Sequence, residues 1–229
     1  MMKKARTMNE ELLEFLLKKN ALKFGQFQLK SGRTSPYFFS TGTLDDGESL
    51  SIVGDAYADL LVENDIEFDA ILGPAYKGIP LAVATGKSLY EKHGRNTRMI
   101  YDRKEEKAHG VEGERFFVGN LMRGDRLLMI DDVMTTGYTK FAMLDKLQRM
   151  RLELSVPALL ILLDRQEVDE EGKSAIVELE ARGLHTYPIF TVSEIFDHLL
   201  EREVEGKVYV KQEQYDSFKT YQDQYGVKG

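Results

Sequence analysis

Cysteine is absent from this 229-residue chain, which excludes disulfides and thiolate metal sites. Because structural disulfides are rare in the cytoplasm, a cysteine-free sequence predicts a cytoplasmic protein. Long apolar runs are missing as well, so no segment of the sequence predicts a membrane-spanning helix. His93, His185 and His198 are scattered without the spacing of metal ligands, and we assign them no function.

Basic residues are fewer than acidic ones: the chain has 31 lysines and arginines and 38 aspartates and glutamates, which gives a net charge of −7. A nucleic-acid-binding protein normally presents a basic face, so this balance argues against that class. An acidic protein that handles phosphates must gather its basic residues locally. The hydrophobic fraction of 42% and the charged fraction of 30% are typical of a globular domain with a real core.

Residues 127–139, LLMIDDVMTTGYT, hold the most informative pattern of the chain. An apolar run predicts a buried parallel strand and is followed directly by Asp131 and Asp132. A turn rich in threonine then leads into helical periodicity from about Tyr138. The unpaired amides of a helix N-terminus hold phosphate well, and Gly137 lets the backbone approach an anion closely. The two carboxylates can hold sugar hydroxyls or a hydrated magnesium ion.

The same stretch resembles the phosphoribosyl-pyrophosphate-binding motif of the type I phosphoribosyltransferases. The resemblance implies substrate contacts along the whole loop, from Asp131, Asp132, Val133, Met134, Thr135, Thr136, Gly137, Tyr138 and Thr139. The family usually has a small residue at the position of Tyr138, and we expect this side chain to point outward from the helix start. The alternative interpretation is a strand–turn–helix corner with two solvated acids.

Residues 22–40 predict a two-stranded hairpin. Within them, residues 29–39 read LKSGRTSPYFF and resemble the N-terminal hood of the orotate phosphoribosyltransferases. The resemblance implies that Lys30 reaches substrate phosphate and that Phe38 and Phe39 lie along the flat pyrimidine orotate. By strand periodicity only one of the two phenylalanines should face the core, so we expect one buried and one exposed ring.

Residues 73–78, GPAYKG, follow a short predicted strand and precede a predicted helix. Open α/β sheets bind their ligands at such turns, beyond the carboxyl ends of the strands. In the resembling family this turn is the pyrophosphate loop, which implies that Tyr76 and Lys77 contact the diphosphate. The family also suggests a cis peptide bond between Ala75 and Tyr76, a rarity outside functional sites.

A charged stretch, residues 102–115, follows the next predicted strand. It is longer than an ordinary connection and suits a lid over a site, although a solvated charged loop is the alternative. The resemblance implies a mobile loop that partly serves the neighbouring subunit of a homodimer. It assigns Lys104 as a catalytic group and adds diphosphate contacts from Arg103, Lys107 and His109.

Residues 156–163 form a continuous apolar run that predicts a central strand, and Arg165 lies just beyond its carboxyl end. An arginine fork can hold a planar carboxylate with two hydrogen bonds. In the resembling family the matching arginine binds orotate, with a contribution from Thr135 of the phosphate loop. The alternative is a structural salt bridge from Arg165 to Asp164, Glu167 or another acid.

The alternation of strands and helices predicts an α/β fold with a parallel central sheet flanked by helices. The resemblance implies the type I phosphoribosyltransferase fold as a single domain over residues 1–229. Its parts are a hood mainly at 1–45, a core at about 46–200, with a predicted helix at 170–182, and a helical tail at 201–229. The aromatic residues of the tail are expected to pack without forming a site, and they are Tyr215, Phe218, Tyr221 and Tyr225.

The implied reaction joins orotate to 5-phospho-α-D-ribose 1-diphosphate and gives orotidine 5′-monophosphate and pyrophosphate in pyrimidine biosynthesis. Asp131, Asp132 and Lys104 are the implied catalytic residues, and Mg²⁺ would be held mainly through substrate and water. One alternative is transfer to a purine or to uracil, which carry no carboxylate for Arg165. The other is a regulatory protein that binds the same sugar diphosphate, but it should carry a basic surface or an added DNA-binding module.

Overall fold

The N-terminal part of the chain folds into a helix and a hairpin. Helix α1 spans Glu10–Lys18, and strands β1 (Leu22–Gln28) and β2 (Thr34–Phe39) pair in antiparallel fashion, which confirms the predicted hairpin. A 3-10 turn at Thr41–Thr43 follows. The structure, a computed structural model, describes residues 8–29, 31–105 and 115–228. Lys30 therefore lies outside the described residues.

Six strands form the central sheet, with bounds β3 (Ala70–Leu72), β4 (Arg98–Asp102), β5 (Phe117–Val118), β6 (Arg126–Met134), β7 (Ser155–Asp164) and β8 (His185–Thr191). Their order across the sheet is β5-β4-β3-β6-β7-β8. Every neighbouring pair is parallel except β4 and β5, which pair antiparallel at one edge. The predicted parallel sheet is confirmed, with a short antiparallel edge strand added.

The remaining helices are α2 (Gly47–Glu63), α3 (Gly78–His93), α4 (Tyr138–Gln148), α5 (Ala175–Ala181), α6 (Val192–Leu199) and α7 (Gln212–Tyr225), and a ribbon of β9 (Glu203–Val204) and β10 (Lys207–Val208) precedes α7. Side chains alternate along each strand, so the sheet buries two separate cores. Leu128 and Ile130 face the core that holds α1, the hairpin and α7, whereas Leu127 and Met129 face the core of α4. None of the described helices combines the length and the apolar character needed to cross a membrane.

The predicted helix at residues 170–182 is wrong at its N-terminal end. Helix α5 begins at Ala175, because the carboxylate of Asp169 accepts the backbone N–H groups of Glu171 and Lys173 and closes a turn. An aspartate that bonds nearby amides offers the backbone an alternative to the helix. The polar residues before α5 therefore form a loop although their composition allows a helix.

The carboxyl ends of β3, β4, β6 and β7 meet at one edge of the sheet. From β3 the chain pairs with β4 on one side and with β6 on the other, so the strand order reverses here. A crevice forms at such a point, and ligands of open α/β sheets bind there. Gly78 brings the loop after β3 against β6, since a Cβ on this residue would lie 2.7 Å from the carbonyl oxygen of Ile130.

Candidate active site

Asp132 lies near the carboxyl end of β6, and its side chain is held from two sides. Its Oδ2 accepts hydrogen bonds from Thr41 Oγ1 at 2.8 Å and from Lys77 Nζ at 2.6 Å. The side chain of Asp132 is 6% exposed, whereas that of Lys77 is 52% exposed and reaches solvent. One carboxylate therefore joins the 3-10 turn after the hairpin, the loop after β3 and the central strand β6.

Asp131 is held by other groups, and its side chain is only 12% exposed. Its Oδ1 accepts the backbone N–H of Asp132 at 2.9 Å, and its Oδ2 lies 2.5 Å from Lys140 Nζ. The hydroxyl of Tyr57 donates to the backbone oxygen of Asp131 at 2.8 Å. Burial, together with the nearby negative charge of Asp132 and Asp131, raises the pKa of Tyr57 well above its usual value, so this phenol stays a donor.

The loop between β6 and α4 exposes Thr135 and Thr136 to solvent, and the first turn of α4 exposes Thr139. Gly137 precedes α4 with a φ of 72°, and a Cβ there would lie 2.8 Å from the Cβ of Ala175. Within the described chain no side chain caps α4, so its first amides remain available for an anion. Tyr138 is 78% exposed, which confirms that it points outward from the helix start.

Two residues of the predicted phosphate site have side chains that face the protein interior. Met134 is 2% exposed, and its carbonyl oxygen accepts the backbone N–H of Arg165 at 3.4 Å. Val133 is half-buried, and its carbonyl oxygen accepts a hydrogen bond from Lys140 Nζ. Contacts of Met134 and Val133 with the sugar phosphate stay a prediction, and they would have to use backbone groups.

The loop after β3 carries the expected cis peptide bond between Ala75 and Tyr76. The backbone N–H of Ala75 donates to Asp102 Oδ1 at 2.7 Å, and Lys146 Nζ of α4 donates to Asp102 Oδ2 at 3.1 Å. Asp102 thereby ties the loop after β3, the predicted diphosphate loop, to α4, which follows the predicted phosphate loop. The ring of Tyr76 is 65% exposed, and Lys104 Nζ lies 4.2 Å from its centroid, a cation–π distance.

A cavity of about 420 Å³ lies between the loop after β3 and the start of the predicted lid. Tyr76, Arg103 and Lys104 line it. The two basic residues of the predicted lid therefore share one cavity with the loop after β3. Lys107 and His109 fall within residues 106–114, outside the described part of the chain. The prediction that residues 102–115 form a lid is therefore not tested beyond its first residues.

The two hood phenylalanines differ in burial, as expected. Phe38 is 38% exposed and Phe39 is 8% exposed, which confirms one exposed ring and one core ring. The exposed ring packs on Phe27, with centroids 5.6 Å apart and the planes tilted by 34°. Because Phe39 contributes to the core, the structure favours Phe38 as the ring on which a planar base could stack.

Arg165 is 4% exposed and forms the salt bridge that was the alternative interpretation of this residue. Its Nε and Nη2 lie 2.8 Å and 2.7 Å from Glu167 Oε1, and Nη2 also lies 3.4 Å from Ser35 Oγ. The guanidinium carbon stands 4.6 Å from the ring centroid of Tyr37. The contacts of Arg165 with Glu167 and Ser35 use Nε and Nη2 of its guanidinium.

Glu167 is shared by several donors at the same place. Its Oε1 also accepts the hydroxyl groups of Tyr221 at 3.0 Å and Tyr37 at 3.3 Å. Burial acts to lower the pKa of Arg165, but Tyr37 and Glu167 outweigh it and raise this pKa above its usual value. Phe218 and Tyr221 of the tail are buried as expected, and Tyr221 additionally holds the counter-ion of Arg165.

Sequence reasoning missed two residues whose side chains contact the carboxylates of the acidic pair, Thr41 and Lys140. Thr41 lies 91 positions before its partner Asp132, and no local pattern marks it. The position of Lys140 gives a weak indication in the sequence. A cation in the first turn of a helix is unfavourable with respect to the helix dipole, so its presence there suggests a compensating contact. Both residues are positioned by tertiary contacts with β6.

The phosphoribosyl transferase domain family matches residues 40–180 of the chain. The orotate phosphoribosyltransferase of Klebsiella pneumoniae is 40% identical over 218 residues, which cover 95% of this chain and 97% of that protein. The Agathobacter rectalis orotate phosphoribosyltransferase is 38% identical over 221 residues, with the same coverage. The crystal structure of the Francisella tularensis orotate phosphoribosyltransferase superposes with a TM-score of 0.80 at 33% identity and covers 94% of this chain and 99% of that one. The chain belongs to the orotate phosphoribosyltransferases and has the type I phosphoribosyltransferase fold.

Proposed function

We propose that the carboxyl edge of the sheet transfers the phosphoribosyl group of 5-phospho-α-D-ribose 1-diphosphate to orotate. The products are orotidine 5′-monophosphate and pyrophosphate, as pyrimidine biosynthesis requires. The observation that carries the proposal is the 2.6 Å contact between Asp132 Oδ2 and Lys77 Nζ. A sugar-binding acid and a diphosphate-binding cation thereby stand within reach of one sugar diphosphate.

The phosphoribosyl half of the substrate is held by β6 and the start of α4. The carboxylates of Asp131 and Asp132 accept hydrogen bonds from the ribose hydroxyls and place the sugar. The first amides of α4 and the hydroxyls of residues 135–139 hold the 5′-phosphate. This anchors the anomeric carbon before any bond breaks, and a well-oriented pair of reactants has a much lower barrier.

The leaving diphosphate is held by the loop after β3 and by the basic lid. Displacement at the anomeric carbon develops positive charge on the ring and negative charge on the diphosphate. Lys77 and Lys104 neutralise that negative charge where it develops, and Tyr76 keeps Lys104 beside the loop. Lys30, Arg103, Lys107 and His109 add positive charge, as the resemblance implies.

Orotate is selected by groups at the end of β7 and in the hood. Its carboxylate fits the guanidinium of Arg165, with Thr135 as a further donor, and its ring fits the exposed face of Phe38. Phe39 supports this wall from the core. Uracil and hypoxanthine carry no carboxylate for the arginine, which is why Arg165 favours orotate over other bases.

Magnesium is the ion that this chemistry uses, and the residues fit a substrate-borne ion. No group of three or more His, Cys, Asp or Glu in the described chain could cage a metal. A hard cation commonly reaches such sites with substrate phosphates and water. When bound, Mg²⁺ neutralises charge on the diphosphate, and the basic side chains of this protein complete that neutralisation.

The active enzyme is proposed to be a cytoplasmic homodimer in which residues 102–115 of one subunit serve the neighbouring active site. Its support is the charged lid sequence and the family resemblance. Mixed dimers test it: subunits carrying Asp132→Ala are combined with subunits carrying Lys107→Ala. Activity regained on mixing supports a shared site, and no regain shows that each subunit uses its own lid.

The reaction is tested by mixing the protein, the sugar diphosphate and Mg²⁺ with orotate, uracil or hypoxanthine in separate cuvettes. We expect a change in ultraviolet absorbance with orotate alone. Consumption of another base would overturn the assignment of Arg165. Tight binding of the sugar diphosphate without turnover would favour the regulatory alternative.

A further inference from the structure

Lys140 breaks two rules that ordinarily govern lysine. It lies in the first turn of α4, where a positive charge opposes the helix dipole, and its side chain is only 6% exposed. A buried charge destabilises the folded state unless it is well paired. Local rules that are broken in this way point to functional positions.

The contacts of Lys140 reach back across the phosphate loop to β6. Its Nζ lies 2.5 Å from Asp131 Oδ2 and donates to the carbonyl oxygen of Val133 at 2.8 Å. Both acceptors precede the loop, and Lys140 follows it. The side chain therefore ties the strand to the helix on the buried side of the loop that holds the 5′-phosphate.

The same contact fixes the orientation of the Asp131 carboxylate. Oδ1 is held by the backbone N–H of Asp132 and Oδ2 by Lys140, so rotation of the carboxylate would break one of the two contacts. Asp132 differs, because its lysine partner is half exposed and belongs to the diphosphate loop. Buried as it is, the Lys140 ammonium can serve the substrate only through Asp131 and the loop.

We propose that Lys140 is a positioning residue that orients Asp131 toward the ribose hydroxyls and braces the phosphate loop. The inference rests on the proposed function, because it assigns the ribose hydroxyls to Asp131. Its distinctive consequence is discrimination between sugars. A loss of Lys140 weakens the recognition of the hydroxyls more than the recognition of the phosphate or of orotate.

The test compares the binding of ribose 5-phosphate with that of 2,3-dideoxyribose 5-phosphate by calorimetry. Wild type is expected to prefer the ribose form, and Lys140→Met to lose about 10- to 100-fold of that preference, the range for a charged hydrogen bond. In turnover assays the KM for the sugar diphosphate should rise while the KM for orotate stays within about twofold. Lys140→Arg retains the charge and should recover most of the preference.

Asp131→Asn and the double variant Asp131→Asn/Lys140→Met complete a double-mutant cycle for the sugar preference. If Lys140 acts through Asp131, adding Lys140→Met to Asp131→Asn lowers the preference little further. If Lys140→Met fails to fold, Lys140→Gln carries the same test, since it is neutral and retains an N–H donor for Val133.

The outcomes separate the inference from the function. A lower melting temperature with an unchanged sugar preference would show that Lys140 only supports folding, and would overturn the inference. Wild-type protein that binds both sugars equally would overturn it as well. Failure of wild type to consume orotate overturns the proposed function instead, and the sugar preference is measured independently of that result.

Discussion

The side chain of Arg165, on the proposed base side of the active site, is 5% exposed, whereas that of Lys77, on the proposed phosphate side, is 52% exposed. Arg165 already has its counter-ion inside the protein, since the side chain of Glu167 is 7% exposed. Lys77 shares its partner Asp132 with Thr41 and still faces solvent. The proposed base side, which we call the closed side, is therefore assembled before the substrate arrives. The proposed phosphate side, the open side, offers cations that remain hydrated until a ligand displaces the water.

The difference follows from what each side has to recognise. A diphosphate and a 5′-phosphate bring several charges, and exposed cations and helix amides attract them from solution at little desolvation cost. A base must be distinguished from other bases by one carboxylate, which requires a fixed and dehydrated donor. Burial makes that donor selective, because a base without the carboxylate leaves it without an acceptor.

The largest effect is expected at Lys104, on the open side. Lys104→Ala should lower kcat by about 10²- to 10³-fold, as the loss of one charge-stabilising donor typically does, because charge develops on the leaving diphosphate. Binding of the sugar diphosphate, measured by calorimetry, should change far less. Lys87→Ala is the matched control, since Lys87 is exposed on α3 and pairs only with Glu91 among the described residues. Unchanged turnover would show that Lys104 is a solvated loop residue.

Arg165→Ala should chiefly affect orotate on the closed side. We expect its KM for orotate to rise by about 10- to 100-fold. Its melting temperature should fall, because buried Glu167 loses its nearer cation and retains only Arg33, whose Nη1 lies 3.8 Å from Oε2. Steady-state kinetics with each substrate varied and thermal unfolding measure the two effects. Adding Glu167→Gln should restore stability but not the KM for orotate. An effect confined to the sugar diphosphate would reverse the assignment of Arg165.

The burial of the closed side extends to Asp164, at the end of β7. Burial, with the negative charges of Glu167 and Glu194, raises the pKa of Asp164 to about 6 from 3.8. The folded state thus binds a proton more tightly than the unfolded state, so stability falls as pH rises from about 4 to about 6. Asp164→Asn removes this loss, and should stabilise the protein by on the order of 1–2 kcal/mol above pH 7.

Thermal unfolding across pH measures that difference between Asp164→Asn and wild type, which should vanish below about pH 4. Asp169→Asn is the control, because this carboxylate also accepts backbone N–H groups in a turn. A gain that is the same at every pH would show that the charge of Asp164 is not its cause.

The smallest expected effect is the response to salt, which compares the two sides without mutation. Raising the salt concentration from about 0.05 to 0.5 M screens exposed charges far more than buried ones. We expect the KM for the sugar diphosphate to rise about threefold or more, and that for orotate to change less. Equal responses of both KM values would contradict the contrast between an open side and a closed side.

Much of this arrangement could be predicted from the sequence because its signals are local. The apolar run before Asp131 marks β6, and strand periodicity alone predicted that one of Phe38 and Phe39 would be buried. The carboxyl-edge rule then brought the diphosphate loop, the acidic pair and Arg165 to one place. The roles of Tyr76 and Lys77 came instead from family resemblance, and they stay predictions.

Other features depend on residues that are far apart in the chain. The bond from Thr41 to Asp132 and that from Tyr221 to Glu167 have no sequence signature, since hydroxyl side chains occur everywhere on a protein. The salt bridge of Arg165 was one of several open alternatives. Only the packing of α7 against the hood and β7 selected Glu167 as its acceptor.

The sequence by itself determined the order of strands and helices, the edge of the sheet that carries the site and the chemistry of the groups there, because periodicity and composition act over short stretches. Tertiary structure alone decided which of those groups are buried, how each carboxylate is oriented and which cation each one meets. Those choices depend on desolvation and on distances of a few ångströms between segments remote in sequence. The pairing of Asp131 with Lys140, and of Asp132 with Lys77 and Thr41, is where that decision is most visible.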